Sequence, residues 1–284
     1  MLKRFRNGWS LVKASGNVLM HDKELLVFPV LSGLAVVAVS ASFFGVGMLT
    51  GLQEAFEGGE VAFDGIGTVV GILYYLVLYT VIFFFNAALV GAALIRLNGG
   101  DPTIADGFRI ATDKIGPIIG YAALAASVGM LVRAISERSQ WLGRLVAGLI
   151  GTAWTLSTFL VVPILVTKDV DPWTAVKESA SLFKQTWGEQ VAGNASIGLV
   201  FLPIYLLVFI LGVLGIAGGA SISPALAVAM GLSMVGALLF LALINSALST
   251  IYQAVLYQFA TTGEVPMGFD TRTISEAFVT RAKR

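Results

Sequence analysis

The sequence predicts an all-α fold: a polytopic membrane helix bundle of six transmembrane helices arranged as three hairpins, each preceded by an amphipathic interfacial helix. Three observations predict it. Of 284 residues, 57% are hydrophobic and only 12% charged, with mean hydropathy +0.86; a soluble domain carries roughly a quarter charged residues. The apolar residues fall into six runs, each close to or longer than the roughly 20 residues of helix that cross a bilayer. Strict alternation is absent from those runs, so helices rather than barrel strands must satisfy the backbone inside lipid.

In order, the runs cover residues 25–50, 69–95, 115–132, 145–167, 197–217 and 224–260. No Asp, Glu, Lys or His interrupts any of them, and Arg133 stands just beyond the third. A more polar stretch precedes each odd-numbered run, with apolar residues at helical spacing and basic residues interleaved. These stretches include WSLVKAS from Trp9, DPTIADGFRIATDK from Asp101 and DPWTAVKESASLFKQTW from Asp171. Each Asp-Pro pair predicts a helix start, with Asp101 or Asp171 as N-cap and Pro at the first helical position.

The phrases SLVKAS (10–15) and SLFKQT (181–186) read as equivalent pieces of two such helices. The chain is therefore expected to be a single integral membrane domain, 1–284. Within it, a threefold repeat runs over 1–95, 96–167 and 168–260, with a cytoplasmic tail at 261–284. Trp9, Lys13, Phe108, Trp173, Phe183, Lys184 and Trp187 are its interfacial anchors, since aromatic rings beside basic residues settle at headgroup depth.

Lys and Arg are retained on the cytoplasmic side of a membrane. The N-terminal segment, the second and fourth loops and the tail together hold fifteen of them, against three in the third loop and none in the first or fifth. Both termini are expected inside, in a cell (inner) membrane. No removable signal peptide is expected, because the basic start lacks an apolar core before Leu25.

The layout of amphipathic segment and hairpin, with the Asp171–Trp187 stretch, resembles uncharacterised bacterial and archaeal six-span membrane families of unknown function. These are akin to the membrane domain fused to some glycerophosphodiester phosphodiesterases. The resemblance implies a layout and transfers no activity, since a phosphodiesterase's metal-binding carboxylates are missing.

Chemistry-bearing motifs are scarce. The chain has no cysteine and one histidine, His21, in the lead-in to the first span. A serine nucleophile would lack a base beside it, and no Walker loop, HExxH or GxSxG is present. The acidic first loop (Glu54, Glu57, Glu60, Asp64) matches no calcium loop. The chain is expected to be no enzyme, with no cofactor and no metal. A net charge of +1 argues against a nucleic-acid partner.

Intramembrane polar groups are amides, hydroxyls and phenols. Asn86, Asn245 and Gln253 are the candidate polar cavity, and Gln258, Ser157, Thr158, Tyr74, Tyr75 and Tyr79 accompany them. Arg133, Arg138 and Arg144 in the third loop are a candidate external anion or lipid site. Small residues four apart, as at Ala87/Gly91 and Ala122/Ala126, and Gly212, Gly215 and Gly218, predict close helix seams. The expected function is non-enzymatic membrane organisation or scaffolding through the lipid bilayer, anionic lipid at the cytoplasmic face above all. A protein partner or homo-oligomer is compatible with this reading. The alternative is a transporter or channel for a small neutral or lipidic solute.

Overall fold

A computed structural model describes residues 2–50, 66–137, 142–186, 197–266 and 269. The described residues are helical and turn segments, with no strand among them. A short-helix lead-in, α1 (Leu2–His21), passes through a 3-10 turn (Lys23–Leu26) into α2 (Val27–Thr50). There follow α3 (Ile66–Leu97), the short α4 (Ile104–Asp113), α5 (Ile115–Glu137), α6 (Leu142–Ser157) and α7 (Val161–Thr167). Next come the short α8 (Pro172–Thr186), α9 (Ile197–Ala220) and α10 (Pro224–Thr262). Six segments are long and apolar enough to cross a membrane, and the fourth of them joins α6 to α7.

Span four is thus two helices. The ladder stops at Thr158–Leu160, just before Pro163, which lacks an N–H and sits in the first turn of α7 where none is required. Backbone groups freed inside an apolar layer need partners. Thr158 returns its hydroxyl to the Trp154 carbonyl, and the Leu160 N–H is accepted by Ser179 Oγ of α8 at 3.0 Å. Hydropathy sees one run here because it counts side chains, while the break is a backbone event.

The helix starts follow cap chemistry. Asp171 is the N-cap of α8, accepting from the Trp173 and Thr174 N–H groups, with Pro172 first in the helix. Asp101 is no cap. Thr103 takes that role two residues later in a reciprocal capping box with Asp106, which frees Asp101 for Arg96. Gly99, at φ 84°, ends α3, and the Gly100 N–H closes back on the Ile95 carbonyl.

The core lies at the short-helix end of the bundle. Residues 87–94 of α3, most of 160–165 at α7 and most of 247–257 in α10 are buried. α3 is the hub, packing on α2, α5, α7, α10 and α4. Glycine permits close approach at Gly107 of α4, where a Cβ would collide with the Phe28 ring and lie 2.8 Å from the Ala88 carbonyl oxygen. Gly91 makes similar room for Ile110.

Far from that core, α9 and α10 pack chiefly on each other. Gly212, Gly215 and Gly219 receive Met234, Met230 and the backbone of Ala227. The seam therefore uses Gly219, while Gly218 faces open space. Spacings of three then four keep one helical face, where a strict repeat of three drifts off it.

Replacing Ser179 with Ala strands the Leu160 amide, at an expected cost of about 1–3 kcal/mol. The melting temperature in detergent should fall, while Thr152→Ala on the exposed face of α6 leaves it unchanged. An unchanged melting temperature for Ser179→Ala would mean that another acceptor serves that amide. Gly107→Val should lower it too, since neither the Ala88 backbone nor the packed Phe28 ring can retreat freely.

Candidate functional site

The three short helices lie at one end of the bundle and share one pattern. Each buries a small residue against the spans: Ser15 in α1, Ala111 in α4 and Ser179 in α8, all at 0% exposure. Two positions before each stands an exposed cation: Lys13, Arg109 and Lys177. Counting from the caps gives the same register, since Ala111 lies eight residues after Thr103 and Ser179 eight after Asp171. Apolar residues alternate with charge at helical spacing, so one stripe packs and the other faces out.

This register corrects the pairing of the two short phrases. Val12–Ser15 corresponds to 176–179, so WSLVKAS matches WTAVKES, two turns earlier than SLFKQT. Burial decides it, because Ser15 and Ser179 are both fully covered, each two residues after its exposed lysine.

Each short helix has its own seat. α4 packs on α3, α8 on α5, α6 and α7, and α1 on α9 and α10. Charge pairs fix their ends. Arg96 at the end of α3 bridges the buried Asp22 and the exposed Asp101. Lys114 pairs with Asp169, Lys168 with Glu178, and Arg109 with Asp106 at 2.9 Å. Lys13, Lys23, Lys177 and Lys184 form no ion pair with any described residue.

The expected anchors fall on this face. Trp9 and Trp173 are 50% and 52% exposed, and the Lys177 ammonium lies 5.4 Å from the centre of the Trp173 ring. Lys184 is exposed, while Phe183 and Phe108 are half-buried against the core. Trp187 lies outside the described residues.

Between α3, α4 and α7 an open groove of about 440 Å³ is lined by Leu94, Ile95, Asn98, Ile110, Val166 and Thr167, with two glycines. Two polar contacts tie its lining to α10: Gln258 Nε2 donates to Asn98 Oδ1 at 2.9 Å, and the Thr167 and Tyr257 hydroxyls meet at 2.6 Å. Sequence reasoning named Gln258 but missed these pairings, because they join residues ninety or more positions apart.

The expected cavity amides are not joined to one another. Asn86, Asn245 and Gln253 are each half-buried, and Asn245 interacts with Tyr205 inside the last hairpin. Of the third-loop arginines, Arg133 donates to the Tyr75 hydroxyl at 3.3 Å and Arg144 is exposed. Arg138 and the acidic first loop lie outside the described residues. His21 Nδ1 donates to the Asn17 carbonyl at 3.1 Å, an ordinary helix-end contact. No group of three His, Cys, Asp or Glu side chains able to hold a metal occurs among the described residues.

Residues 65–268 match the model of a family of unknown function, DUF6159. The chain belongs to the DUF6159 family. The matched region takes in spans two to six, both Asp-Pro pairs and the groove. No curated protein and no solved structure matches the chain. The expected kinship with an unknown-function membrane family thus holds at that level, and no link to glycerophosphodiester phosphodiesterases is shown.

Two consequences follow. Asp22→Ala should destabilise the DUF6159 protein by about 1–3 kcal/mol, the worth of hydrogen bonds to a charged group, with Asp101→Ala closer to neutral because that residue is exposed. A double-mutant cycle with Arg96→Ala isolates the Asp22 coupling, and additive effects would dismiss it. The second consequence concerns pH. The Thr174 hydroxyl and N–H hold the Asp171 carboxyl below the ordinary carboxylate range, and Lys114 does the same for Asp169. A lowered carboxyl contributes stability above its unfolded pKa and loses it as pH falls through the folded value. Melting temperature should therefore drop on acidification below the ordinary carboxylate range, and less so in Asp171→Asn, which caps without titrating.

Proposed function

We propose that this protein organises the membrane in which it sits, without catalysis, through lipid contact of its short-helix face. Its place is the cell membrane, with both termini cytoplasmic and the short helices at the inner leaflet. The observation that carries this is the shared pattern of the three helices: a covered small residue fixes each helix flat on the span ends, and that rotation turns a cation outward. The three units 1–95, 96–167 and 168–260 then act as one repeated device, each contributing a helix to the collar.

Half of the described cations of this face, Arg96, Arg109, Lys114 and Lys168, are matched by carboxylates, while Lys13, Lys23, Lys177 and Lys184 are not. Attraction to anionic lipid therefore rests on the unmatched lysines of α1 and α8, each worth about 1 kcal/mol near an anionic surface. Reconstituted protein should draw phosphatidylglycerol into its vicinity from a phosphatidylcholine bilayer, read as quenching of its tryptophans by a brominated or spin-labelled phosphatidylglycerol. Equal quenching by the phosphatidylcholine analogue would defeat the reading.

A second reading, a pathway for a small neutral or lipidic solute, is favoured by the broken fourth span. Discontinuous helices are a common way to build a solute site, and the groove at the end of α7 is mostly apolar, with Asn98 and Thr167 as its polar side chains. Liposome flux of small neutral solutes, abolished by filling the groove with Val166→Trp, would support it. Absence of flux in sealed, correctly inserted vesicles would remove it.

A further inference from the structure

We propose that the lipid contact of this face consists of two discrete phosphate-headgroup sites, one on α1 and one on α8, with no third on α4; this rests on the membrane-organising reading above. The argument begins with position. Counting back from the covered residue of each helix, a tryptophan lies six places earlier in α1 and α8, and a lysine two places earlier. Trp9 and Lys13 are therefore four apart, as are Trp173 and Lys177. Residues four apart on a helix are neighbours on one face, about 5–6 Å between Cβ atoms. An exposed indole and an exposed ammonium at that spacing bracket a lipid phosphate. The ring sits at headgroup depth with its N–H available, and the cation meets the charge.

Three further observations make these pairs more than surface lysines. Both are held in place by the same buried serine position, so their outward direction is fixed by packing. Neither lysine is matched by a described carboxylate, and the Lys177 ammonium instead rests near the face of the Trp173 ring, 5.4 Å from its centre. A cation on an aromatic face is only modestly stabilised, by about 0.5–1 kcal/mol at exposed sites, so an incoming phosphate displaces it readily.

The third helix supplies the contrast. At the position of the tryptophans α4 has Ala105, and its cation, Arg109, is occupied by Asp106. Asp106 is itself committed to the capping box and is held below the ordinary carboxylate range by Thr103, so it keeps its charge. Helix α4 thus keeps the register of the other two and lacks both binding groups.

Native mass spectrometry of the full chain in non-ionic detergent, titrated with phosphatidylglycerol, tests this. Wild type is expected to retain two lipids that survive mild activation. Lys13→Gln and Lys177→Gln should each lose one, with about tenfold weaker retention, and the double variant should lose both. Lys13→Arg and Lys177→Arg should keep two, which separates loss of charge from loss of fold, and Arg109→Gln should keep two as well. A lipid count indifferent to Lys13 and Lys177, or reduced equally by Arg109→Gln, overturns the two-site proposal. If such a variant still gathers phosphatidylglycerol in a bilayer, the broader reading survives; if wild type gathers none, both fall.

Discussion

One buried hydrogen bond sets much of this architecture: the Leu160 amide, freed where span four breaks, is accepted by Ser179. An amide left bare there would cost about 1–3 kcal/mol, so the break and the short helix cannot be separated. Accepting that bond fixes the rotation of α8. Ala175 and Val176 then face the bundle and Trp173 and Lys177 face away. The same break redirects α7, whose end brings Thr167 to Tyr257, Lys168 to Glu178 and Asp169 to Lys114. A single backbone interruption thereby locks the fourth span to the last one and to the short helices on either side.

Close approach does the corresponding work around α3. Lipid offers helices no hydrophobic reason to associate, so they pack where small side chains let them come near. Gly107 brings α4 down onto Phe28 and the Ala88 carbonyl, and Gly91 lets Ile110 enter α3. Phe108 then closes over Phe28 with ring centres 5.6 Å apart. Short helices seated by such contacts are wedges in the bundle as well as surface anchors. α10 illustrates the other extreme: at 39 residues it is about 58 Å long, and its outer half meets little besides α9.

The six spans were legible in the sequence because lipid imposes run length and excludes charge, both properties of composition. The Asp171-Pro172 start was legible for the same local reason that it forms. Asp101-Pro102 carries the same letters, yet Thr103 and Asp106 offer a reciprocal box that Asp101 alone cannot match, and Arg96 competes for its carboxylate. The break at Thr158–Leu160 was invisible to hydropathy, although Pro163 stood beside it. Pairing SLVKAS with SLFKQT sets the repeat two turns out of register; those phrases share three letters, as VKAS and VKES do, so letters alone do not decide it. Burial of Ser15 and Ser179 settles the matter, and burial depends on partners distant in the chain.

Counting basic residues in loops overstates the charge that this face can offer. A loop count treats Arg96, Arg109, Lys114 and Lys168 as equals of Lys13 and Lys177, whereas the fold spends the first four on carboxylates that pin helix ends. A loop count bears on orientation during insertion, when no partner is yet in place, and is a poor guide to ligand binding. Among the described cations of this face Lys13, Lys23, Lys177 and Lys184 form no ion pair, and the buried Ser15 and Ser179 set the rotation of the helices that carry Lys13 and Lys177. Under the two-site proposal, cations fixed by packing would hold headgroups at defined places. A diffuse basic collar would only raise the local density of anionic lipid. Defined places are what the proposed organising role requires, and under that proposal they would follow from packing rather than from net charge.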